Sequence, residues 1–199
     1  MAWKWRGWGL ALIAALFVVA GCGKQAPAEF KATNVTGAPM GRDFRLTDHD
    51  GKTRTLSDFK GKVVAVFFGY THCPDVCPTT LGDLAQALKK LGDNAGKVQV
   101  LFITLDPERD TPELLAQFVP AFNPGFLGLY GDAATTAKTA EEFKVIYHKQ
   151  PDPDPAKYTI DHSSGTFLYD PTGRLRLFAS HGQGAEAFAH DIRLLLEGN

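Results

Sequence analysis

Short apolar runs alternate along the chain with stretches whose apolar residues recur at helical spacing, the signature of strands interleaved with helices. Asp43 to Thr47 alternates polar and apolar, Asp50-Gly51 marks a turn, and Thr53 to Leu56 alternates again, which predicts an N-terminal β-hairpin. Lys62 to Phe68 is an apolar run rich in β-branched and aromatic residues, as expected for a strand buried on both faces, and Val98 to Leu105 is a second. Between them Leu81, Leu84, Ala85, Leu88 and Leu91 share one helical face that closes near Gly92. Because proline deep in a helix costs about 3 kcal/mol, the regular helix is expected after Pro78. Thr111 as N-cap and Pro112 at the first position open a helix that buries Leu114, Leu115, Phe118 and Val119. A short strand near Phe126 to Tyr130, a helix over Ala133 to Phe143 and a short strand over Val145 to His148 follow. Gln150 to Ala156 is a Pro/Asp loop. Thr166 to Tyr169 and Leu175 to Phe178 flank the turn Asp170-Pro171-Thr172-Gly173, and Ala185 to Leu196 forms the last helix.

Strands that alternate with helices build a mostly parallel sheet covered on both faces. A closing hairpin and helix after βαβ units is the thioredoxin-like arrangement. The expected fold is therefore α/β and thioredoxin-like: a central mixed sheet flanked by helices, with an N-terminal β-hairpin. Such a fold hosts many activities, so function has to come from the site.

The first residues change the picture of where the protein works. Lys4 and Arg6 precede an uncharged stretch from Trp8 to Ala20 that is too short to span a bilayer, which takes about 20 residues. Residues 1–21 therefore read as a signal peptide, with an uncleaved anchor as the alternative. Val19-Ala20-Gly21-Cys22 resembles a bacterial lipoprotein processing box, which makes Cys22 the lipidated N-terminus of the mature chain. Residues 22–37 read as a lipid-bearing tether and residues 38–199 as the domain, on the extracytoplasmic (periplasmic) face of a bacterial membrane. Lys and Arg total 21 against 22 Asp and Glu, and no basic run occurs, which excludes nucleic acid as the main partner.

The chemistry concentrates in Cys73-Pro74-Asp75-Val76-Cys77, where a buried strand feeds a helix. With only three cysteines in the chain and Cys22 in the leader, a disulfide-framework fold is excluded. Over one helical turn the two residues share a face with their Cβ atoms about 5–6 Å apart, from where the sulfurs can converge on one ion or join as a disulfide. A helix N-terminus also favours thiolates. Thioredoxin-type catalysts use Cys-x-x-Cys with a facing proline. Here the loop is one residue longer, and the facing segment Asp161-His162-Ser163-Ser164-Gly165 has a histidine and no proline. His162 is therefore the natural third ligand. Two thiolates and one imidazole are a soft set suited to Cu(I), and to Cu(II) with a fourth ligand, although spacing alone leaves zinc open.

Tyr70-Thr71-His72-Cys73-Pro74-Asp75-Val76-Cys77-Pro78, Asp106-Pro107-Glu108-Arg109-Asp110-Thr111-Pro112 and Asp161-His162-Ser163 together resemble the SCO/SenC family, in its order, over about residues 35–197. The resemblance implies a thioredoxin-like fold, copper bound by Cys73, Cys77 and His162, and a metallochaperone role in assembling the copper A centre of cytochrome c oxidase. It implies as partners the oxidase subunit carrying that site and other periplasmic copper chaperones. Turnover is not implied. The rival readings are a thiol-disulfide reductase using Cys73 and Cys77 as its redox pair, and a copper or redox sensor.

Other polar residues keep two readings each. His72 either tunes the thiolates or faces solvent, and Asp161 either orients His162 or caps the loop. Asp75 is read as a loop hydrogen-bonding group, with a ligand role as the alternative, Asp106 and Arg109 as turn formers, and His49, His148, His181 and His190 as turn, surface or packing residues.

Overall fold

The computed structural model describes Met1, residues 29–154 and residues 157–199. The leader, Cys22 and the start of the tether lie outside the described residues. The elements are β1 (Thr33–Asn34), β2 (Leu46–Asp48), β3 (Thr53–Arg54), β4 (Val63–Gly69), α1 (Val76–Leu91), β5 (Val98–Thr104), α2 (Pro112–Phe118), β6 (Leu127–Tyr130), α3 (Ala133–Glu142), β7 (Tyr147–Gln150), β8 (Thr159–His162), β9 (Thr166–Tyr169), β10 (Leu175–Ala179) and α4 (Gly184–Leu196).

Eight strands form one mixed sheet in the order β1-β10-β9-β4-β5-β6-β2-β3. β4, β5 and β6 run parallel, and the flanking pairs are antiparallel. Strand alternation sorts the apolar run of β4 between two cores. Val63, Ala65 and Phe67 pack with Leu81, Leu84 and Ile192 beneath α1 and α4. Val64, Val66 and Phe68 pack with Phe143, Phe167 and Phe59 on the other face. The N-terminal hairpin, the two buried parallel strands and the closing hairpin all stand where the hydrophobic pattern put them. Thr111 caps α2 by accepting the Leu114 N–H.

Three differences have physical causes. First, α1 begins at Val76, so Pro78 sits inside its first turn. The first four N–H groups of a helix have no partner within it, so proline there sacrifices no bond. Second, the fold reaches back into the segment expected to be tether. Asp191, buried on α4, accepts the backbone N–H groups of Lys31 and Ala32 at 2.8 Å each, and β1 pairs with β10. Third, β7 and β8 form a two-stranded ribbon of their own, with no ladder to the main sheet. The last of these carries His162.

Candidate metal centre

β4 runs toward the Cys loop and ends in Gly69, which is wholly buried. A Cβ on Gly69 would lie 2.7 Å from the Cys77 sulfur and 2.8 Å from the Phe102 ring. Only glycine lets that sulfur settle on the end of the strand. The chain turns through Tyr70 to Cys73, whose N–H donates to the Tyr70 carbonyl, and enters α1. Cys77 is in the first turn and fully buried, while Cys73 remains partly exposed. The Cys77 backbone N–H points at the Cys73 sulfur at 3.4 Å.

His162 arrives from the opposite side, 85 residues along the chain from Cys77. Its Nε2 lies 3.8 Å from the Cys77 sulfur, and its Nδ1 meets the Ser163 carbonyl at 3.0 Å. That carbonyl can only accept, so Nδ1 carries the proton and Nε2 is left to face the sulfurs. The ring stands edge-on to Phe67 and Tyr70. The two sulfurs and the imidazole nitrogen all lie within 4.8 Å of one another. Ligands at about 2.2 Å in a trigonal plane stand about 3.8 Å apart, so small movements bring all three onto one ion. No other group of three candidate ligands occurs among the described residues.

The cysteine pair shares its protons unequally. A hydrogen bond from Cys77 holds the Cys73 thiol down at about 3; burial opposes this, and His162 and the loop N–H groups help. Cys77 is pushed far up by donating that bond and by burial. The reduced pair thus keeps one proton over a wide pH range. Against an ordinary thiol near about 8.5, the folded pair binds fewer protons than the unfolded chain from about pH 3 up to that value, and more above it. Its contribution to stability therefore rises with pH through the first range and falls beyond it. Alkylation of Cys73 in the reduced protein should accordingly keep its neutral-pH rate at pH 5, where an ordinary thiol has slowed by about 100-fold. A rate falling tenfold per pH unit from pH 8 downward would contradict this assignment.

The remaining sequence candidates fall outside the ligand cluster. Asp161 is exposed on the outer face of β8 and accepts from Gln150 at 2.7 Å, so it does not orient His162; the Ser163 carbonyl does that. His72 is half-exposed and turned to Thr71 and Asp110. Asp75 accepts from Thr79. His49 accepts the Gly128 N–H, His181 meets Thr80 and His190 meets Asp191. Asp106 and Arg109 do more than form a turn. Arg109 bonds Asp106 at 2.6 Å and also reaches Tyr158, 49 residues away. Only a contact map shows that link, since neither residue type nor spacing signals it.

The SCO1/SenC family model matches residues 32–197. The chain belongs to that family. The mitochondrial SCO2 homolog of Bos taurus is 40% identical over 153 residues, covering 76% of this chain and 58% of that protein. This chain thus spans less than two thirds of the length of that relative. Bradyrhizobium japonicum ScoI, solved with copper bound, is 41% identical with a TM-score of 0.70, covering 79% of this chain and 99% of that one. Apo Sco1 of Thermus thermophilus is 39% identical with a TM-score of 0.76, covering 86% and 100%. The thioredoxin-like mixed sheet is common to them. A family structure solved with copper and a Cys-Cys-His cluster in this chain agree with the soft-ligand reading of the site. Among the described residues no helix is long and apolar enough to cross a membrane.

Proposed function

We propose that this chain binds one copper ion between Cys73, Cys77 and His162 and delivers it to the copper A site of cytochrome c oxidase. The observation that carries the reading is the convergence of His162 on the two sulfurs, with all three ligand atoms within 4.8 Å. A thiol-disulfide catalyst needs the sulfurs alone, whereas a third soft ligand makes a copper site. Copper is the cargo. Three ligands leave one side open, which suits an ion that has to be passed on. Membership of the SCO1/SenC family and the copper-bound Bradyrhizobium protein support the same reading. The oxidase subunit carrying the copper A site is the proposed acceptor, and other periplasmic copper chaperones are the proposed donors. Residues 1–21 act as the leader and Cys22 carries the lipid. The tether ends before Lys31, where the chain is gripped by Asp191.

A reductase reading has one feature in its favour: Cys73 is partly exposed and its thiolate is favoured by a hydrogen bond from buried Cys77, the polarity of an attacking and a resolving sulfur. His162→Ala separates the two. The reduced wild-type protein should bind one copper per chain, with sulfur and nitrogen ligation by X-ray absorption. The variant should lose the nitrogen ligand, and oxidase assembly should fail. Intact assembly in His162→Ala, with failure in Cys73→Ala, would sink the chaperone reading in favour of the reductase.

A further inference from the structure

The ligands reach the site on two structures that share no sheet. Cys73 lies in the loop from β4 to α1 and Cys77 in the first turn of α1, while His162 ends the separate β7–β8 ribbon. An isolated two-stranded ribbon is marginal in water, so side-chain docking has to set where it lies. On β8 the inward positions recur every second residue. Tyr158 and Ile160 are buried and His162 is half-buried, whereas Thr159 and Asp161 point outward. Whatever holds Tyr158 therefore sets the depth of His162, about 13 Å further along the same row.

Tyr158 is held by the loop that follows β5. Its hydroxyl donates to Asp106 at 2.6 Å, and its carbonyl accepts from Arg109 at 2.9 Å. The Arg109 guanidinium lies 3.5 Å from the centre of the Tyr158 ring, with Lys149 at 4.0 Å. Both groups that grip Tyr158 are themselves fixed, because Asp106 and Arg109 are ion-paired and largely buried. The same loop also holds the cysteine side. Asp110, buried, accepts the Thr71 hydroxyl at 2.6 Å and the Thr71 N–H at 3.0 Å, two residues before Cys73. Thr104 locks Asp110 in turn, at 2.6 Å.

We infer that Asp106–Asp110 is a bracket that sets the distance between the imidazole and the two thiolates, with Arg109, Asp106 and Tyr158 as positioning residues for His162. This deepens the copper reading of the site and rests on it for its consequence. The bracket itself is testable without metal. Asp110 grips one arm through hydrogen bonds, and Arg109 grips the other through a charge-assisted bond and a stacked ring. Loss of the Arg109 grip loosens the ribbon, which keeps the Tyr158–Asp106 and Lys149–Glu108 contacts, without touching either sulfur.

The test compares Arg109→Gln, Tyr158→Phe and wild type. In the apoprotein, amide exchange over residues 147–150 and 159–162 should quicken by about tenfold or more in Arg109→Gln, the scale of one charge-assisted hydrogen bond. Exchange in β4 and β5 should stay unchanged, which certifies the fold. Tyr158→Phe, which keeps the ring and loses only the hydroxyl, should move the same amides by less. With copper added, Arg109→Gln should still take up one Cu(I) on its two sulfurs. Its Cu(II) complex should lose the imidazole nitrogen coupling in electron paramagnetic resonance. Arg109→Lys, which keeps a cation over the ring, should restore part of that coupling. Wild-type ribbon exchange in both Arg109→Gln and Tyr158→Phe would overturn the bracket. So would exchange that quickens equally in β4 and β5. Failure of the wild-type protein to bind copper would instead sink the metal reading, with the exchange comparison still deciding the bracket.

Discussion

Gly69→Ala is expected to abolish stoichiometric copper binding and to lower stability by about 2–3 kcal/mol, as overpacking a closed core does. The methyl group would meet the Cys77 sulfur at 2.7 Å and the Phe102 ring at 2.8 Å. Phe102 belongs to fully buried β5 and is itself packed on Phe67, so it has no room to yield. The sulfur is the part that moves. Displaced from the end of β4, it no longer stands 3.8 Å from the imidazole. Copper titration of the reduced protein and urea unfolding of the apoprotein measure the two effects separately. Wild-type copper stoichiometry in Gly69→Ala would show that the sulfur position has slack that the packing denies.

Gly165→Ala is expected to cost about 3 kcal/mol or more, with the loss concentrated beside the His162 segment. A Cβ at this position would clash with the outer edge of the Phe178 ring, at Cζ and Cε2. Phe178 is braced edge-on against Phe167, which in turn is braced against Phe143 and Phe68. Phe178 is partly buried at the end of that chain of aromatics, and swinging its ring away gives up the contact with Phe167. The backbone between His162 and β9 shifts instead, and the third ligand shifts with it. Chemical unfolding should show the stability loss, and the Cu(II) spectrum should show weakened nitrogen ligation. Unchanged stability would mean that Phe178 repacks freely.

These two glycines also mark how far the chain could be read without coordinates. The apolar runs at Val63–Gly69 and Val98–Thr104 are legible because a strand buried on both faces needs no polar residues. The cysteine pair is legible from its spacing, and His162 from the missing proline of a thioredoxin-like site. The beginning of α1 is misjudged because proline is penalised in helix interiors but not in the first turn. β8 goes unnoticed because Thr159, Asp161 and His162 give a short polar stretch little apolar signal, although Tyr158 and Ile160 keep the alternation. The bracket is invisible for a different reason. Arg109 and Tyr158 meet only through the tertiary fold, and no local pattern encodes a contact at that separation. Asp161, adjacent to His162, draws attention that strand geometry turns outward.

If the chain carries copper as proposed, the separate ribbon has a kinetic meaning. Two of the three bonds to an ion would be anchored where the buried strand β4 feeds α1. The third would be attached to an arm whose retreat deforms neither. Bonds of such unequal mechanical backing break in a set order. An acceptor's incoming ligand would replace the imidazole first while both sulfurs keep hold, so the ion would change hands by successive exchange and never travel bare through water. Residence time and ease of release would then be governed by different parts of the protein: the strand-to-helix junction for the one, the four-residue strand and its grip on Tyr158 for the other.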